Sequence, residues 1–222
     1  METQVSRRNV WVLPLAVLGV AALIALNELG YQHSVDAAAS MHREEQKSNA
    51  LHTLLQQVLD AETGQRGFLL TGDEQYLVPY AKAITQIDGT LESLKTHYAD
   101  DNAVDSERVV ALSSFVRRKL AELEVTVKDR RAGGDSETWM RVVRSDVGRD
   151  SMNGARHEAR ALLDSATLNL AMSQRAIDSS LSVSRIGVTI AALLGLLAFH
   201  LYLRQTVRLS VVEETQRQVL AR

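Results

Sequence analysis

The residues with the densest functional chemistry lie in one stretch, Asp60 to Tyr80, which reads DAETGQRGFLLTGDEQYLVPY. Glu62 and Arg66 are four residues apart, so on a helix their side chains can pair along one face. An exposed pair of this kind contributes only about 0.2–0.5 kcal/mol, too little for stability alone to explain such a polar group. The polar side chains therefore lie either on a solvated face or in a partly buried patch that binds a ligand or selects one of two packings. They are Asp60, Glu62, Gln65 and Arg66.

Glycine is the second informative residue type in this stretch. Gly64 and Gly67 interrupt a helical pattern, where each glycine costs about 1 kcal/mol relative to alanine. Glycine in a helix is tolerated where another backbone approaches closely. Further on, Gly72 can end one helix, while Thr71 and Glu74 have the spacing of a capping box for the next.

No catalytic constellation accompanies these residues. Gly133-Gly134-Asp135 lies between helical segments and indicates a turn. His157-Glu158 begins like the zinc motif H-E-x-x-H, but Ala161 stands where the second histidine is needed. The chain also contains no cysteine, which excludes disulfides and thiolate metal sites. We therefore expect no catalytic residue, no metal site and no cofactor in this chain.

Two apolar segments bracket the polar region. Residues 10–26 read VWVLPLAVLGVAALIAL and residues 186–203 read IGVTIAALLGLLAFHLYL, both without a formal charge. Each lies at the short end of the roughly 17–25 residues that a helix needs to cross a bilayer core. We predict transmembrane helices over residues 10–27 and 186–203. The alternative for the first segment is a cleaved signal peptide, although its apolar run exceeds the usual length of about 7–15 residues.

The distribution of basic residues predicts the orientation in the membrane. Arg7 and Arg8 precede the first apolar segment, whereas residues 27–41 contain no lysine or arginine. Because basic loops stay in the cytoplasm, residues 1–9 are predicted to be cytoplasmic and residues 28–185 extracytoplasmic. The net charge of −2 gives no argument for a nucleic-acid partner.

The region between the apolar segments has helical periodicity nearly throughout. Apolar residues alternate three and four positions apart in one series, which is Leu77, Tyr80, Ile84, Ile87, Leu91, Leu94 and Tyr98. Further series begin before and after it; they are Leu51, Leu54, Leu55, Val58 and Leu59, then Val109, Leu112, Val116, Leu120, Leu123 and Val127, then Met152, Ala155, Ala159, Leu162, Leu163, Ala166, Leu170, Ile177 and Leu181. Polar turns separate them at residues 99–102 and 132–136, with a weaker interruption at residues 147–151. The pattern predicts an all-α protein, an antiparallel four-helix bundle whose first and fourth helices continue from the two transmembrane helices.

The stretch from Asp60 to Tyr80 resembles the signature of the CHASE sensory domains of the third class. The matching residues are Asp60, Glu62, Thr63, Gly64, Arg66, Gly67, Phe68, Leu69, Thr71, Gly72, Leu77 and Tyr80. The resemblance covers residues 31–185 and implies a four-helix-bundle sensor held outside the inner membrane of a bacterium. Because the ligands of that family are largely undefined, the resemblance names no ligand for this chain.

We predict the site residues from the same stretch. The candidates for ligand binding or switching are Asp60, Glu62, Thr63, Gln65, Arg66, Thr71 and Tyr80. The residues with a structural role in the motif are Gly64, Gly67, Phe68 and Gly72.

The predicted function is that of a two-pass receptor module in the lipid bilayer, with both termini in the cytoplasm. Residues 204–222 are predicted to be the cytoplasmic start of a parallel signalling helix or a linker, and they are too short for a kinase or cyclase. We expect a homodimer that senses a small-molecule or protein stimulus and passes it by helix motion to a cytoplasmic signalling domain or protein, such as a histidine kinase or cyclase of two-component or similar signalling. The alternative is a membrane-anchored scaffold that recruits an envelope partner and transmits nothing.

Overall fold

Helices make up nearly all of the part of the chain that the structure describes. The computed structural model describes the backbone of residues 12–99, 101–133 and 136–220, and the side chains in these ranges except 12–17, 26, 136, 198 and 201–220. The helices are α1 (Val12–Thr71), α2 (Leu77–His97), α3 (Ala103–Arg131), α4 (Ser136–Arg144) and α5 (Val147–Leu220). The described residues contain no β-strand, so the predicted all-α bundle of four long helices is confirmed.

The chain divides into two units, each described by itself. The bundle unit is Ala39–Ser173; the two-helix unit holds the chain up to Ala38 and from Gln174 onward. α1 and α5 each continue without interruption from one unit into the other, as the lack of helix breakers in the sequence predicts. Arg7, Arg8 and the predicted cytoplasmic residues 1–9 lie outside the described residues.

The predicted apolar series form the core of the bundle unit. The core contains buried apolar residues from all four long helices. They include Leu51, Leu54 and Val58 of α1, Ile87, Leu91 and Leu94 of α2, Leu112, Val116 and Leu123 of α3, and Met152, Ala159 and Leu162 of α5. Two residues of these series are exposed. Leu59 is 40% exposed because it lies on the wall of a cavity, and Leu181, 55% exposed, belongs to the two-helix unit.

The connection before α5 differs from the sequence prediction. The break falls at Ser145 and Asp146, not at residues 147–151. It separates a short helix, α4, which is additional to the four predicted long helices. Asp146 adopts a left-handed conformation with φ of 62°. Aspartate tolerates this region better than most residues, so the chain can turn here without glycine.

Within the two-helix unit, small polar side chains join α1 to α5. Ser180 Oγ donates a hydrogen bond of 2.9 Å to the carbonyl of Gly30, and Ser184 Oγ lies 3.1 Å from Asn27 Oδ1. Apolar side chains further along α5 face outward, with Leu193, Leu194 and Leu197 exposed by 61%, 60% and 55%.

Candidate functional site

The turn between α1 and α2 is built by the glycines of the signature stretch. A Cβ on Gly64 would lie 2.7 Å from the carbonyl oxygen of Tyr76 and 3.1 Å from the backbone nitrogen of Tyr80. A Cβ on Gly67 would collide with the Tyr76 ring, 2.7 Å from its Cγ. Glycine therefore stands at both positions because the returning chain packs directly on the α1 backbone.

The end of α1 is capped by Gly72, with the residues around it arranged differently from the predicted capping box. Gly72 has φ of +75°, and its N–H donates to the carbonyl of Phe68 at 2.8 Å, as in a left-handed helix cap. Thr71 Oγ1 turns back to the Gly67 carbonyl, while Asp73 accepts from the Gln75 N–H at 2.9 Å. The capping-box prediction for Thr71 and Glu74 is wrong, because Asp73 provides the cap.

Glu74 instead pairs with α3. Arg131 donates two hydrogen bonds to it, the one from Nε at 2.8 Å, and these lower the pKa of Glu74 below its ordinary value. The Arg131 guanidinium also lies 5.9 Å from the centre of the Phe68 ring, which is buried with Leu77 and Val127. These contacts fix the tip of the bundle where α1, α2 and α3 meet.

Four charged residues form a connected, mostly buried group, the Glu62 network: Glu62, Arg66, Lys119 and Glu122. Arg66 donates to Glu62 Oε1 at 2.7 Å, and Lys119 Nζ lies 3.3 Å from the same oxygen and 2.9 Å from Glu122 Oε2. The Lys119 and Glu122 side chains are 5% and 7% exposed, whereas that of Arg66 is 70% exposed. The network thus joins α1 to α3 through a buried lysine between two carboxylates.

A second buried contact supports the same two helices. Gln65 Nε2 donates to Thr126 Oγ1 at 2.6 Å, and Thr126 in turn bonds back to backbone carbonyls of α3. Both residues are buried, so the Gln65 amide donor and the Thr126 hydroxyl each gain a protein partner in place of water.

The network borders a cavity of about 590 Å³, which we call the signature cavity. Its walls come from α1, α3, α4 and α5. Its charged lining residues are Glu62, Arg66, Lys119, Glu122, Asp146, Arg149 and Arg156; Trp139, Leu59, Leu69, Val143 and Met152 are among the rest. A cavity with apolar walls and a few polar groups is the usual form of a small-molecule site.

The sequence and the fold now point to one family. The CHASE3 domain family matches residues 37–176, more than half of the chain. The chain belongs to the CHASE3 domain family. CHASE3 domains are extracytoplasmic sensors of membrane receptors, so this chain contains a signalling sensor module.

One solved structure is also similar to the chain: the sensor domain of the histidine kinase HK9 from Rhodopseudomonas palustris. It shares 26% identity, and the match covers 62% of this chain and 97% of that domain with a TM-score of 0.38. None of the curated proteins compared matches the chain significantly.

The CHASE3 structure brings four of the seven predicted site residues to the signature cavity and leaves three away from it. Glu62 and Gln65 are buried in contacts to α3, and Arg66 covers Glu62 from the solvent side. Thr63 also lines the signature cavity. The remaining candidates lie elsewhere: Asp60 is exposed and accepts from Gln56, Thr71 is exposed at the helix end, and Tyr80 is half-buried beside the Gly64 contact. Burial, and next the nearby Glu124 carboxylate, raise the pKa of Tyr80.

A further polar group lies at the opposite end of the CHASE3 bundle, beside the α2–α3 turn. Lys47 Nζ lies 2.8 Å from Glu44 and 2.7 Å from Asp101, and 4.9 Å from the centre of the Tyr98 ring. Burial opposes the charge of Lys47, but the hydrogen bonds to Asp101 and Glu44 outweigh it and raise its pKa. These contacts attach the turn to α1.

Sequence reasoning missed the partners of the signature stretch. Lys119, Glu122 and Thr126 are three and four residues apart and precede the apolar positions 120, 123 and 127 by one residue each. That spacing places them on one face of α3, which was a usable signal for a polar stripe beside the core. Trp139 and Arg149 carried no such signal, because only the turn at Asp146 brings α4 and the start of α5 to the cavity.

Proposed function

We propose that this chain is the sensing and membrane-anchoring part of a bacterial two-component or similar receptor. It detects a stimulus outside the cytoplasmic membrane and transmits it by motion of α5. The receiver is a cytoplasmic output domain or a partner protein such as a histidine kinase or cyclase, and the chain itself carries no catalytic role. Both termini lie in the cytoplasm.

The contact between the Glu62 network and the first turn of α5 carries this proposal. A Cβ on Gly148 would lie 2.5 Å from Glu122 Oε2 and 2.9 Å from Lys119 Nζ. Because the α5 backbone itself packs on these two charged groups, a rearrangement of the network presses directly on the start of α5. The residues of the family signature are thereby coupled to the helix that contains the second apolar segment.

The length and surface of α5 support transmission through a bilayer. α5 is one continuous helix from Val147 to Leu220, so a displacement at its start can be passed along the whole helix. In the part of the chain that the structure describes, one helix is long and apolar enough to cross a membrane; its best window has mean hydropathy 1.8 and is 0% buried. Receptor helices move by about 1–2 Å in such transitions.

In a homodimer, this motion of α5 changes how the two cytoplasmic segments pair. Two copies of residues 204–222 pair as parallel helices, and rotation of α5 changes which residues face the partner copy. Val207 and Val211 are four residues apart and so lie on one face of the helix, which supports the pairing. The side chains of this segment lie outside those that the structure describes.

The test is a one-residue insertion of alanine after Arg185, in single-cysteine variants of the full chain. Since the chain has no cysteine, each cysteine introduced across residues 204–222 is the only thiol. Oxidative cross-linking in membranes should peak with a period of about 3.5 residues. The insertion rotates everything after it by about 100°, so the maxima should shift to different positions.

A seven-residue insertion at the same site is the matched control. It restores the helical phase to within about 20° and should keep the original maxima. In a fusion of the full chain to a cytoplasmic output domain, the one-residue insertion should invert or abolish signalling. Unchanged cross-linking and output in that variant would contradict transmission by motion of α5 and would favour the membrane-anchored scaffold.

A further inference from the structure

We propose that the signature cavity binds a small organic monocarboxylate with an apolar body. The inference rests on the proposed sensory function and names the chemical class of its stimulus.

The cavity carries one positive charge in excess. Each of its three carboxylates is neutralised by a neighbour: Glu62 and Glu122 by the network, and Asp146 by Arg149 at 3.0 Å. Arg156 on α5 is the remaining charged group, and among the described residues it makes no hydrogen bond or ion pair. An exposed guanidinium with all its donors available suits a carboxylate, which it can bind through two parallel hydrogen bonds.

Trp139 supplies a second unused donor. Its indole nitrogen is buried and has no hydrogen-bond partner among the described residues, although the side chain lines the cavity. A buried donor without an acceptor costs about 1–3 kcal/mol. Because the nitrogen itself is closed off from solvent, a ligand acceptor reaches it through a shift of the indole ring, and that shift removes this cost. The indole N–H and Arg156 are both donors, and together they select an anionic acceptor over a cation.

The size and walls of the cavity select the remainder of the ligand. A volume of about 590 Å³ lies within the range of roughly 300–1,000 Å³ that small-molecule sites occupy. Leu59, Leu69 and Met152 line it with apolar surface, which an inorganic anion leaves unused. The first turn of α5 also lines it at Gly148, and a helix N-terminus favours negative charge.

The site spans the contact that the proposed mechanism uses. A carboxylate held by Arg156 and Trp139 ties α5 to α4 beside Gly148, next to the Glu62 network. Binding therefore favours one position of the start of α5, which is what a stimulus has to do.

The test is calorimetric titration of the full chain in detergent micelles with hexanoate and benzoate. The neutral amides of the same shape, hexanamide and benzamide, are the controls, with inorganic phosphate as a purely ionic probe. We expect saturable binding of at least one acid, tenfold or more weaker binding of its amide, and no binding of phosphate.

Three variants locate the site. Arg156→Gln and Trp139→Phe should each weaken binding of the acid about tenfold, by removing a donor to a charged group. Arg160→Gln, one turn further along α5 and outside the cavity lining, should leave the affinity unchanged. Circular dichroism of each variant shows that the bundle remains folded.

Several outcomes would overturn the inference: no binding of either acid, equal binding of acid and amide, binding of phosphate alone, or equal losses in Arg156→Gln and Arg160→Gln. The proposed function is tested separately by the insertion after Arg185. If the acid binds but the insertion does not shift the cross-linking pattern, the cavity proposal stands and transmission by motion of α5 is rejected. If the insertion shifts the pattern but neither acid binds, only the cavity proposal is rejected.

Discussion

At the scale of residues, the defining feature of this CHASE3 domain is a lysine buried between two carboxylates. Lys119 reaches Glu62 on α1 and Glu122 on its own helix, and the three side chains are 5%, 12% and 7% exposed. Burying such charges gains little stability, because desolvation offsets their attraction. Their arrangement instead fixes how α1 and α3 register, since any slip leaves a charge without its partner.

Replacing Lys119 by methionine should destabilise the bundle by about 3 kcal/mol, because the buried Glu122 carboxylate loses its counterion and Glu62 keeps only the exposed Arg66. For a domain of this size the melting temperature should fall by roughly 6–12 °C. The measurement is thermal unfolding of the full chain in micelles, followed by circular dichroism.

Lys128→Met on the same helix is the matched control. Lys128 pairs with Glu124 at 2.6 Å, but both side chains are mostly exposed, so no measurable shift is expected. A triple variant with Glu62→Gln, Lys119→Met and Glu122→Gln should recover much of the stability, since no uncompensated buried charge remains and Arg66 is mostly exposed. Equal melting of the wild type and the Lys119→Met variant would contradict this account.

At the scale of elements, glycine positions determine how closely helices approach. Gly64 and Gly67 allow the chain to return onto α1, Gly148 meets the Glu62 network, and Gly154 lies against the Phe115 ring. These contacts bring α2 and α3 against the two long helices at a spacing that any side chain would widen.

Gly64→Ala should destabilise the bundle by about 1–3 kcal/mol, although alanine favours helix formation. The added methyl meets backbone atoms of Tyr76 and Tyr80, which cannot move away as a flexible side chain does. The measurement is the same thermal unfolding, with hydrogen exchange to locate the loss at the α1–α2 turn.

Gly89→Ala provides a control of opposite sign. Gly89 lies inside α2 with nothing within 4 Å of its Cβ position, so alanine should stabilise the protein by about 0.5–1 kcal/mol. Stabilisation by both substitutions would contradict a close contact between Gly64 and the backbone of Tyr76 and Tyr80.

At the scale of the whole molecule, the two units have contrasting surfaces. The bundle unit buries its apolar series, whereas α5 in the two-helix unit exposes Ile186, Val188 and Phe199 by 61%, 59% and 60%. An exposed apolar surface of this kind is expected to be covered, and in the proposed topology it contacts lipid.

The proposed topology predicts opposite labelling of two cysteines. In intact spheroplasts, a membrane-impermeant maleimide should label Ser114→Cys, an exposed position in the bundle unit. Ser210→Cys should react only after the membrane is permeabilised. Labelling of both residues from outside would contradict the cytoplasmic placement of the C-terminal segment.

Much of the fold was predictable because helical periodicity and helix breakers are local properties. The apolar series placed the four long helices, and Gly72 and Gly133, with φ of +75° and +72°, end helices where the sequence suggested turns. The capping box failed because Asp73 competes for the same cap, and α4 was missed because an aspartate turn lacks the glycine that usually marks one.

The sequence by itself determined the helices, the family and the stretch that carries the site, since these depend on residue types at short spacing. The tertiary structure alone decided that Glu62 is buried while Arg66 is exposed, and that Lys119, 57 residues from Glu62, is the second partner of Glu62. The physical reason is that burial and ion pairing depend on how α1, α3 and α5 register against one another. Spacing along one helix fixes a face, but only packing decides what that face meets.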